Sequence, residues 1–273
     1  MWWEQHQCRD RGATVSDEVV VLGCGAFVPG FAGLEGWAES ARSDDHEAPT
    51  GEMIPSRQRR RTSPLTRAFA DAFFEAIGGT SLDAATIASV FGSAIGEAST
   101  MVGLLDQMWS ETASLSPMKF ATSVHNAASG IISIATANRG MTTAVGADYD
   151  TPAMALLEGI GLVRDRGDCV VVCCGDEAPP PDLMPKGVGW SMLAAAIILG
   201  PMSRSPAGNL CLSDLGIAAS TPSPRKSSSL VDGNPNIGLL DLVVAVHSGA
   251  EGVVRLDRGP GRGYSVRVKR SNA

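Results

Sequence analysis

Three groups of residues in this chain have types and spacings that could support chemistry. In the first, His125 and Asn126 form a polar pair in a segment of small and apolar residues. A polar pair that is buried needs hydrogen-bond partners. The pair is therefore either a structural contact across a helix or subunit boundary, or a general base or substrate ligand. The sequence leaves both interpretations open.

The second group, Asp148, Tyr149 and Asp150, lies between a predicted strand and a predicted helix. Such a strand-to-helix elbow exposes its side chains at the helix N-terminus, where anions are favoured. Two carboxylates at this point disfavour the ionised form of a neighbouring thiol or phenol, which is the form that attacks a substrate. The alternative is that Asp150 or Thr151 only caps the helix.

The third group is a basic island in an acidic chain, formed by Arg57, Arg59, Arg60 and Arg61. These like charges repel one another unless acidic groups lie nearby. The segment is either a solvated loop or a docking patch for an acidic partner or a phosphate.

Other reactive motifs are missing from the sequence. Gly23-Cys24-Gly25 lacks the third glycine of a dinucleotide-binding loop, and Pro29 prevents a helix from starting there. The chain has no P-loop and no Gly-x-Ser-x-Gly motif. Its cysteines and histidines do not have zinc-ligand spacing. We therefore expect no metal and no cofactor.

The composition narrows the class of protein. The 273 residues include 22 Lys and Arg against 29 Asp and Glu, a net charge of −7, which disfavours nucleic-acid binding. The longest apolar run, 192–199, is too short to span a membrane, and the N-terminal segment lacks the apolar core of a secretory signal. The six cysteines are interpreted as small buried apolar side chains in a reducing compartment. These features predict a cytoplasmic protein.

Hydrophobic patterns predict the elements that position these groups. Predicted helices cover 64–78, 97–109, 123–138, 151–164 and 237–246. Predicted strands cover 19–23, 87–95, 142–146, 169–175, 210–215 and 265–269, the last as a half-exposed edge strand. Residues 190–199 form a buried strand or a short helix, and 39–62 form a surface loop.

The alternation of strands and helices predicts an α/β fold, in which helices cover a mixed, mostly parallel sheet. Residues 1–17 are a polar tail. Residues 18–200 form the main domain. Residues 201–273, rich in Pro, Ser and Gly over their first half, form a short C-terminal part that completes the sheet.

Five segments, in the same order along the chain, resemble the N-terminal half of the β-ketoacyl synthase family, which has a thiolase-like fold. The segments are 54–55 with 59–61 and 63–65; 115–117 with Phe120, 123–127 and Gly130; 139–140 with 142–145; 168–177; and Gly187 with 190–199. The Ser-Val-His-Asn-Ala form of 123–127 is most similar to short proteins of aryl polyene and related pigment pathways, which act as chain length factors.

The resemblance implies a thiolase-like half-fold with a truncated C-terminal part and no catalytic residues. A working synthase of this family carries a nucleophilic cysteine at the elbow, where this chain has Tyr149 between Asp148 and Asp150. It also needs two histidines, or a histidine and an asparagine, from a C-terminal half. His247 is the sole histidine in 201–273 and lacks the family's glycine-rich motif.

The resemblance therefore implies a non-condensing subunit, a chain length factor, that forms a heterodimer with a full-length β-ketoacyl synthase and meets an acyl carrier protein. The expected subunit interface comprises Ser123, His125, Asn126, Met141, Thr142, Thr143, Ala144 and Val145, with 141–145 as the sheet edge. The residues expected to limit the acyl tunnel are Met101, Leu104, Leu105, Met108 and Tyr149. The residues expected to dock the carrier protein are Arg57, Arg59, Arg60 and Arg61.

Two other classes of function remain open from the sequence. The chain could be an independent hydrolase or decarboxylase of acyl thioesters that uses His125 or the Asp148–Tyr149 pair. It could also be a homodimeric scaffold with no acyl role.

Overall fold

The computed structural model describes residues 18–110, 114–205, 208–217, 228–259 and 261–271. Cys8 and the predicted polar tail lie outside the described residues. No described helix has both the length and the apolar character needed to cross a lipid bilayer.

One eight-stranded sheet forms the centre of the molecule. Its strands lie in the order β3-β2-β4-β5-β1-β6-β8-β7. Their bounds are β1 Val19–Phe27, β2 Ala88–Gly92, β3 Thr142–Val145, β4 Val170–Asp176, β5 Leu193–Gly200, β6 Leu210–Ile217, β7 Gly252–Arg255 and β8 Tyr264–Arg270. The 190–199 segment is therefore a strand.

The predicted α/β class and the mixed sheet are confirmed, but the expected majority of parallel pairs is wrong. Strand β2 pairs parallel with β3 and with β4. The remaining five neighbouring pairs are antiparallel. The alternation of helices and strands favours parallel crossovers, but β5, β6 and β7 run opposite to the other five strands, so every pair that they form is antiparallel.

Within the described ranges, eight α-helices pack around the sheet. They are α1 Gly33–Glu39, α2 Ser56–Arg59, α3 Pro64–Gly78, α4 Ala98–Trp109, α5 Pro117–Thr122, α6 Ala127–Ala135, α7 Thr151–Arg166 and α8 Ile237–His247. One buried cluster joins α1, α7 and α8 to one face of the sheet. A second cluster joins α3 and α6 to the other face.

Strand β4 is buried on both faces of the sheet. All seven of its residues are buried. Cys174 lies in the cluster with α7 and α8, and Cys173 lies in the cluster with α3. Neighbouring side chains of this strand therefore point to opposite faces of the sheet, as strand geometry requires.

Helix α3 follows the predicted pattern. Ser63 Oγ accepts the Thr66 backbone N–H at 2.9 Å, and Pro64 occupies the first turn. Phe69 and Phe73, four residues apart on one face of the helix, are buried against the sheet. Ending the strand β1 at Gly23 was wrong, because Gly23 and Gly25 instead allow the strand to continue beneath α3. A Cβ at either glycine would lie 2.3 Å from a backbone oxygen of that helix.

Three other predictions about elements differ from the structure. The helix predicted over 123–138 begins at Ala127, and residues 123–126 form a turn. The predicted surface loop 39–62 includes the single helical turn α2. Strand β8 is not an edge strand, because it lies between β6 and β7, and its Val266 and Val268 are buried.

Candidate functional site

The predicted elbow connects β3 to α7. Asp148 adopts a left-handed backbone with φ of 51°, which is uncommon for a residue with a side chain. Thr151 Oγ1 accepts the Ala147 N–H at 2.9 Å and donates to the Asp148 carbonyl at 2.7 Å. The Thr151 hydroxyl therefore closes the turn and fixes the direction in which the elbow presents its side chains.

The aspartate and tyrosine side chains of the elbow contact the chain's own β7–β8 connection. Asp150 Oδ1 accepts the Arg262 backbone N–H at 2.8 Å, and Asp150 Oδ2 lies 3.7 Å from Arg262 Nε. The Tyr149 ring lies against Gly259, where a Cβ would come within 2.5 Å of two ring carbons. The suggestion that the Asp150 carboxylate caps α7 was therefore wrong.

A thiol does lie near the elbow in space, although none is near in sequence. A Cβ on Gly92 would meet Cys174 Sγ at 2.5 Å and Thr151 Cγ2 at 3.0 Å. Cys174 is fully buried, and burial together with nearby Asp176 raises its pKa well above the ordinary thiol value. Because the thiolate is the nucleophilic form, this thiol is unreactive.

A buried polar network lies at the carboxyl ends of β2 and β4. The Asp176 carboxylate accepts Ser93 Oγ at 2.5 Å and the backbone N–H groups of Ala94 at 2.8 Å and Ile95 at 3.1 Å. It also accepts the side-chain amide of Asn236. Burial raises the pKa of Asp176 to about 6, against these donors, which lower it. Asp176 is not among the functional residues predicted from the sequence, because its partners come from segments that are distant in the chain.

His125 joins this network from the turn before α6. Its Nε2 lies 2.7 Å from the Ser93 carbonyl. Because a carbonyl only accepts, Nε2 carries the hydrogen in this contact. A Cβ on Gly146 would lie 3.0 Å from that nitrogen, so the ring stands over the start of the elbow. Asn126, its predicted partner, is exposed at the N-terminus of α6.

Two further buried carboxylates anchor the N-terminus of α4. Glu97 Oε1 accepts Ser63 Oγ at 2.8 Å and Thr66 Oγ1 at 2.6 Å. Glu177 Oε1 accepts the Ser99 N–H at 2.8 Å. Burial and then the neighbouring Glu177 charge raise the pKa of Glu97. Sequence reasoning missed this pair because its members come from different elements.

The four residues of α4 that were expected to limit the acyl tunnel differ in their exposure to solvent. Leu104 is buried, Met101 is half-buried, and Leu105 and Met108 are exposed. The C-terminal half of the helix stands away from the sheet and contacts α5. The fold therefore covers these four side chains to different extents, most completely at Leu104.

Strand β3 lies at one end of the sheet, as predicted for 141–145. The Ser89 N–H donates to the Met141 carbonyl at 2.9 Å, and Ser89 lies opposite Thr142. In a parallel ladder this register turns the backbone groups of Thr142 and Ala144 away from β2. Within the described part of the chain, no strand pairs with that side.

Large apolar side chains are exposed near this edge, from α4 through α6. They are Leu105, Met108, Trp109, Leu115, Met118, Phe120, Val124 and Ile134. Helices α4 and α5 contact each other, α5 contacts α6, and α6 contacts β3. We call these eight residues the apolar face. Several large exposed apolar residues on neighbouring elements are typical of interaction sites.

The predicted arginine island occupies α2 and the residues just after it. Arg57, Arg60 and Arg61 are exposed, and Arg59 is half-buried. The structure brings Lys119 of α5 to the same surface depression as Arg60 and Arg61.

Among the described residues, no group of three acidic, histidine or cysteine side chains could hold a metal ion.

Comparison with known proteins identifies the scaffold. The family model for the β-ketoacyl synthase N-terminal domain matches residues 35–246. The fold is similar to a chain in the complex of the ketosynthase ApeO with its chain length factor ApeC from Xenorhabdus doucetiae. The TM-score is 0.68 and the identity 20%, over 92% of this chain and 99% of that one. A search of curated proteins finds no match.

Two further solved structures show the same fold. A chain of the ishigamide ketosynthase/chain length factor gives a TM-score of 0.64 at 14% identity, covering 92% of this chain and 98% of that chain. A chain of the AntDE:AntF complex, a type II PKS acyl-carrier protein with its ketosynthase bound to the hexaketide, gives 0.67 at 11% identity. It covers 94% of this chain and 99% of that chain.

Proposed function

The chain belongs to the β-ketoacyl synthase N-terminal-domain family, and from this premise we propose that it is a non-condensing subunit of a ketosynthase heterodimer. In this proposal a full-length, cysteine-containing β-ketoacyl synthase supplies the catalytic residues, and this chain acts as its chain length factor. The observation that carries the proposal is the elbow, where Tyr149 packs on Gly259 and no thiolate is available.

The chemistry of condensation explains why this elbow cannot serve. Acyl transfer needs a nucleophile that an adjacent base or a lowered pKa activates. Asp148 and Asp150 place negative charge beside the phenol, and Asp150 is engaged with Arg262. Cys174 is buried with a raised pKa, and His125 Nε2 is committed to the Ser93 carbonyl. These contacts also disfavour an independent acyl-thioester enzyme built on His125 or Tyr149.

The surface around β3 supports pairing with a partner. An edge strand presents unpaired N–H and C=O groups, which are favourable for extending a sheet into another chain. The apolar face next to it would be covered in the same contact. We propose that 141–145 pairs with the matching strand of the synthase, and that Ser123, His125 and Asn126 lie in the same interface.

The exposed half of α4 supports a role in the acyl tunnel. Leu105 and Met108 point out of the fold, where a partner's cavity could receive them. Met101 and Leu104 lie on the same helix and are less exposed. Tyr149 faces its own β7–β8 connection, so we place its contribution at the base of the elbow. The acyl chain would belong to a polyene or related pigment pathway in the cytoplasm.

The arginine island supports docking of an acyl carrier protein. Carrier proteins are acidic, and exposed arginines attract an acidic partner over several ångströms at low salt. Arg57, Arg60 and Arg61 are the accessible members, whereas Arg59 is half-buried.

We further propose that residues 201–273 are the short second part of the molecule, whose strands complete the sheet.

Co-expression of this chain with a full-length ketosynthase tests the proposed function. The expected result is a stable 1:1 complex that condenses acyl and malonyl groups on carrier proteins, while this chain alone condenses nothing. Condensation by the purified chain alone would overturn the proposal. A stable homodimer that does not exchange with the ketosynthase would instead support the scaffold function.

A further inference from the structure

A cleft with uncompensated positive charge lies between α2 and α5. Two adjoining depressions, of about 450 and 360 Å³, share Arg61, Thr62 and Thr122 in their walls. Arg57 lies on one side of the cleft, and Arg60 and Lys119 lie on the other. We call this the basic cleft. It brings together cations that are about 60 residues apart in the chain.

Acidic side chains do not neutralise these cations. In the described ranges, no ion pair joins Arg57, Arg60, Arg61 or Lys119 to a carboxylate. Arginines elsewhere behave differently: Arg42 pairs with Glu47, and Arg267 pairs with Asp214. The buried carboxylate of Glu97, two residues before Ser99 in the cleft wall, accepts two hydroxyl donors, and burial raises its pKa. The cleft therefore keeps a net positive field.

Hydrogen bonds from the side chains of Arg67 and Thr62 hold the backbone of the segment that carries the arginines. Arg67 Nη2 donates to the Arg59 carbonyl at 2.9 Å and to the Thr62 carbonyl at 3.3 Å. Thr62 Oγ1 donates to the Arg59 carbonyl at 2.7 Å. Arg67 thus fixes the segment through neutral acceptors and adds its own charge beneath it. A fixed backbone lowers the entropic cost of arranging the arginine side chains around a ligand.

We propose that the basic cleft binds a phosphate monoester or diester. A guanidinium group donates two parallel hydrogen bonds to phosphate oxygens, and a lysine adds a compact charge. Arg60, Arg61 and Lys119 supply these groups. The phosphate comes either from a phosphodiester-bearing group on a partner protein or from a free phosphorylated small molecule. Only the first source rests on the proposed function.

Calorimetric titration of the full chain with inorganic pyrophosphate, at low ionic strength, tests the cleft. We expect saturable binding that weakens at least tenfold in the double variant Arg61→Gln/Lys119→Gln. The control is Arg267→Gln, which removes one positive charge from an ion pair on β8 and should bind as the unaltered chain does. Circular dichroism verifies that the variants are folded.

Absence of pyrophosphate binding, or an equal loss in Arg267→Gln, would overturn the proposal. Carrier protein with and without its phosphodiester prosthetic group then distinguishes the two sources. Binding that requires the prosthetic group assigns the phosphate to the partner, and equal binding assigns the cleft to a free small molecule. The pyrophosphate titration does not depend on the ketosynthase, so failure of the heterodimer and failure of the cleft are separable.

Discussion

Asp176 couples folding to pH because its carboxyl group is buried at the end of β4. Its pKa is raised from 3.8 to about 6, so the folded chain holds a proton between these values that the unfolded chain has released. The free energy of unfolding therefore falls as pH rises through this window, by about 3 kcal/mol from this group. Burial raises the pKa values of Glu97 and Glu177 in the same direction.

We predict that the free energy of unfolding, measured by urea denaturation, is larger at about pH 4.5 than at about pH 7 because of this linkage. Asp176→Asn removes the titration, so its stability should depend less on pH. The amide also places an N–H among groups that donate to Asp176, which lowers stability at every pH. An unchanged pH slope in Asp176→Asn would assign the dependence to other carboxyl groups.

Tyr149 illustrates how a single residue decides the chemistry of the elbow while the backbone of the elbow is kept. The turn at Asp148 and the Thr151 contacts would present a nucleophile, yet the ring lies on Gly259 instead. The sequence predicted the elbow and its lack of cysteine. It could not predict that Tyr149 and Asp150 contact residues more than 100 positions later, because only the folded chain brings them together.

At the scale of elements, β3 is the strand whose free side can be tested directly. Ala144→Pro removes one N–H that points away from β2 and leaves the β2 ladder intact, because proline is tolerated on the open side of an edge strand. We predict that the complex with the ketosynthase weakens at least tenfold. Ala144→Val keeps the N–H and is the matched control.

Size-exclusion chromatography and titration of the two purified chains measure this effect. The isolated variant should unfold at the same temperature as the unaltered chain, since its internal pairing is unchanged. If Ala144→Pro binds the ketosynthase as tightly as Ala144→Val, β3 does not pair with the partner through its backbone.

Local signals predicted the elements whose partners are close in sequence. The predicted helix 64–78 has the bounds of α3, and the predicted strand 169–175 differs from β4 by one residue at each end. The helix expected over 123–138 was wrong at its start because His125 bonds to Ser93 and pulls the turn toward β2. Composition alone does not reveal such a contact.

For the whole molecule, the apolar face predicts the behaviour of the chain without a partner. Phe120 is 63% exposed and Met108 is 58% exposed. We expect the isolated chain to self-associate and to bind a hydrophobic dye. Met108→Glu with Phe120→Glu should keep the chain monomeric and abolish binding to the ketosynthase, because charges would be buried in the contact.

The matched control is Ile217→Glu. Ile217 is 66% exposed at the end of β6, five strands away from β3 in the sheet. This variant should change neither self-association nor ketosynthase binding. Light scattering and analytical ultracentrifugation measure the first property, and co-purification measures the second. An isolated chain that remains monomeric and binds no dye would contradict the role given to the apolar face.

The sequence by itself determined the α/β class, the elbow and the lack of a cysteine within it, since these depend on residue types and on short-range patterns. The edge position of 141–145 was implied by the resemblance to the β-ketoacyl synthase family. Only the tertiary structure decided that most strand pairs are antiparallel, that β8 is internal and that Lys119 joins the arginines. It also decided that Tyr149 rests on Gly259. These features depend on contacts between distant segments, whose energies come from packing and desolvation and are not encoded in any local window of residues.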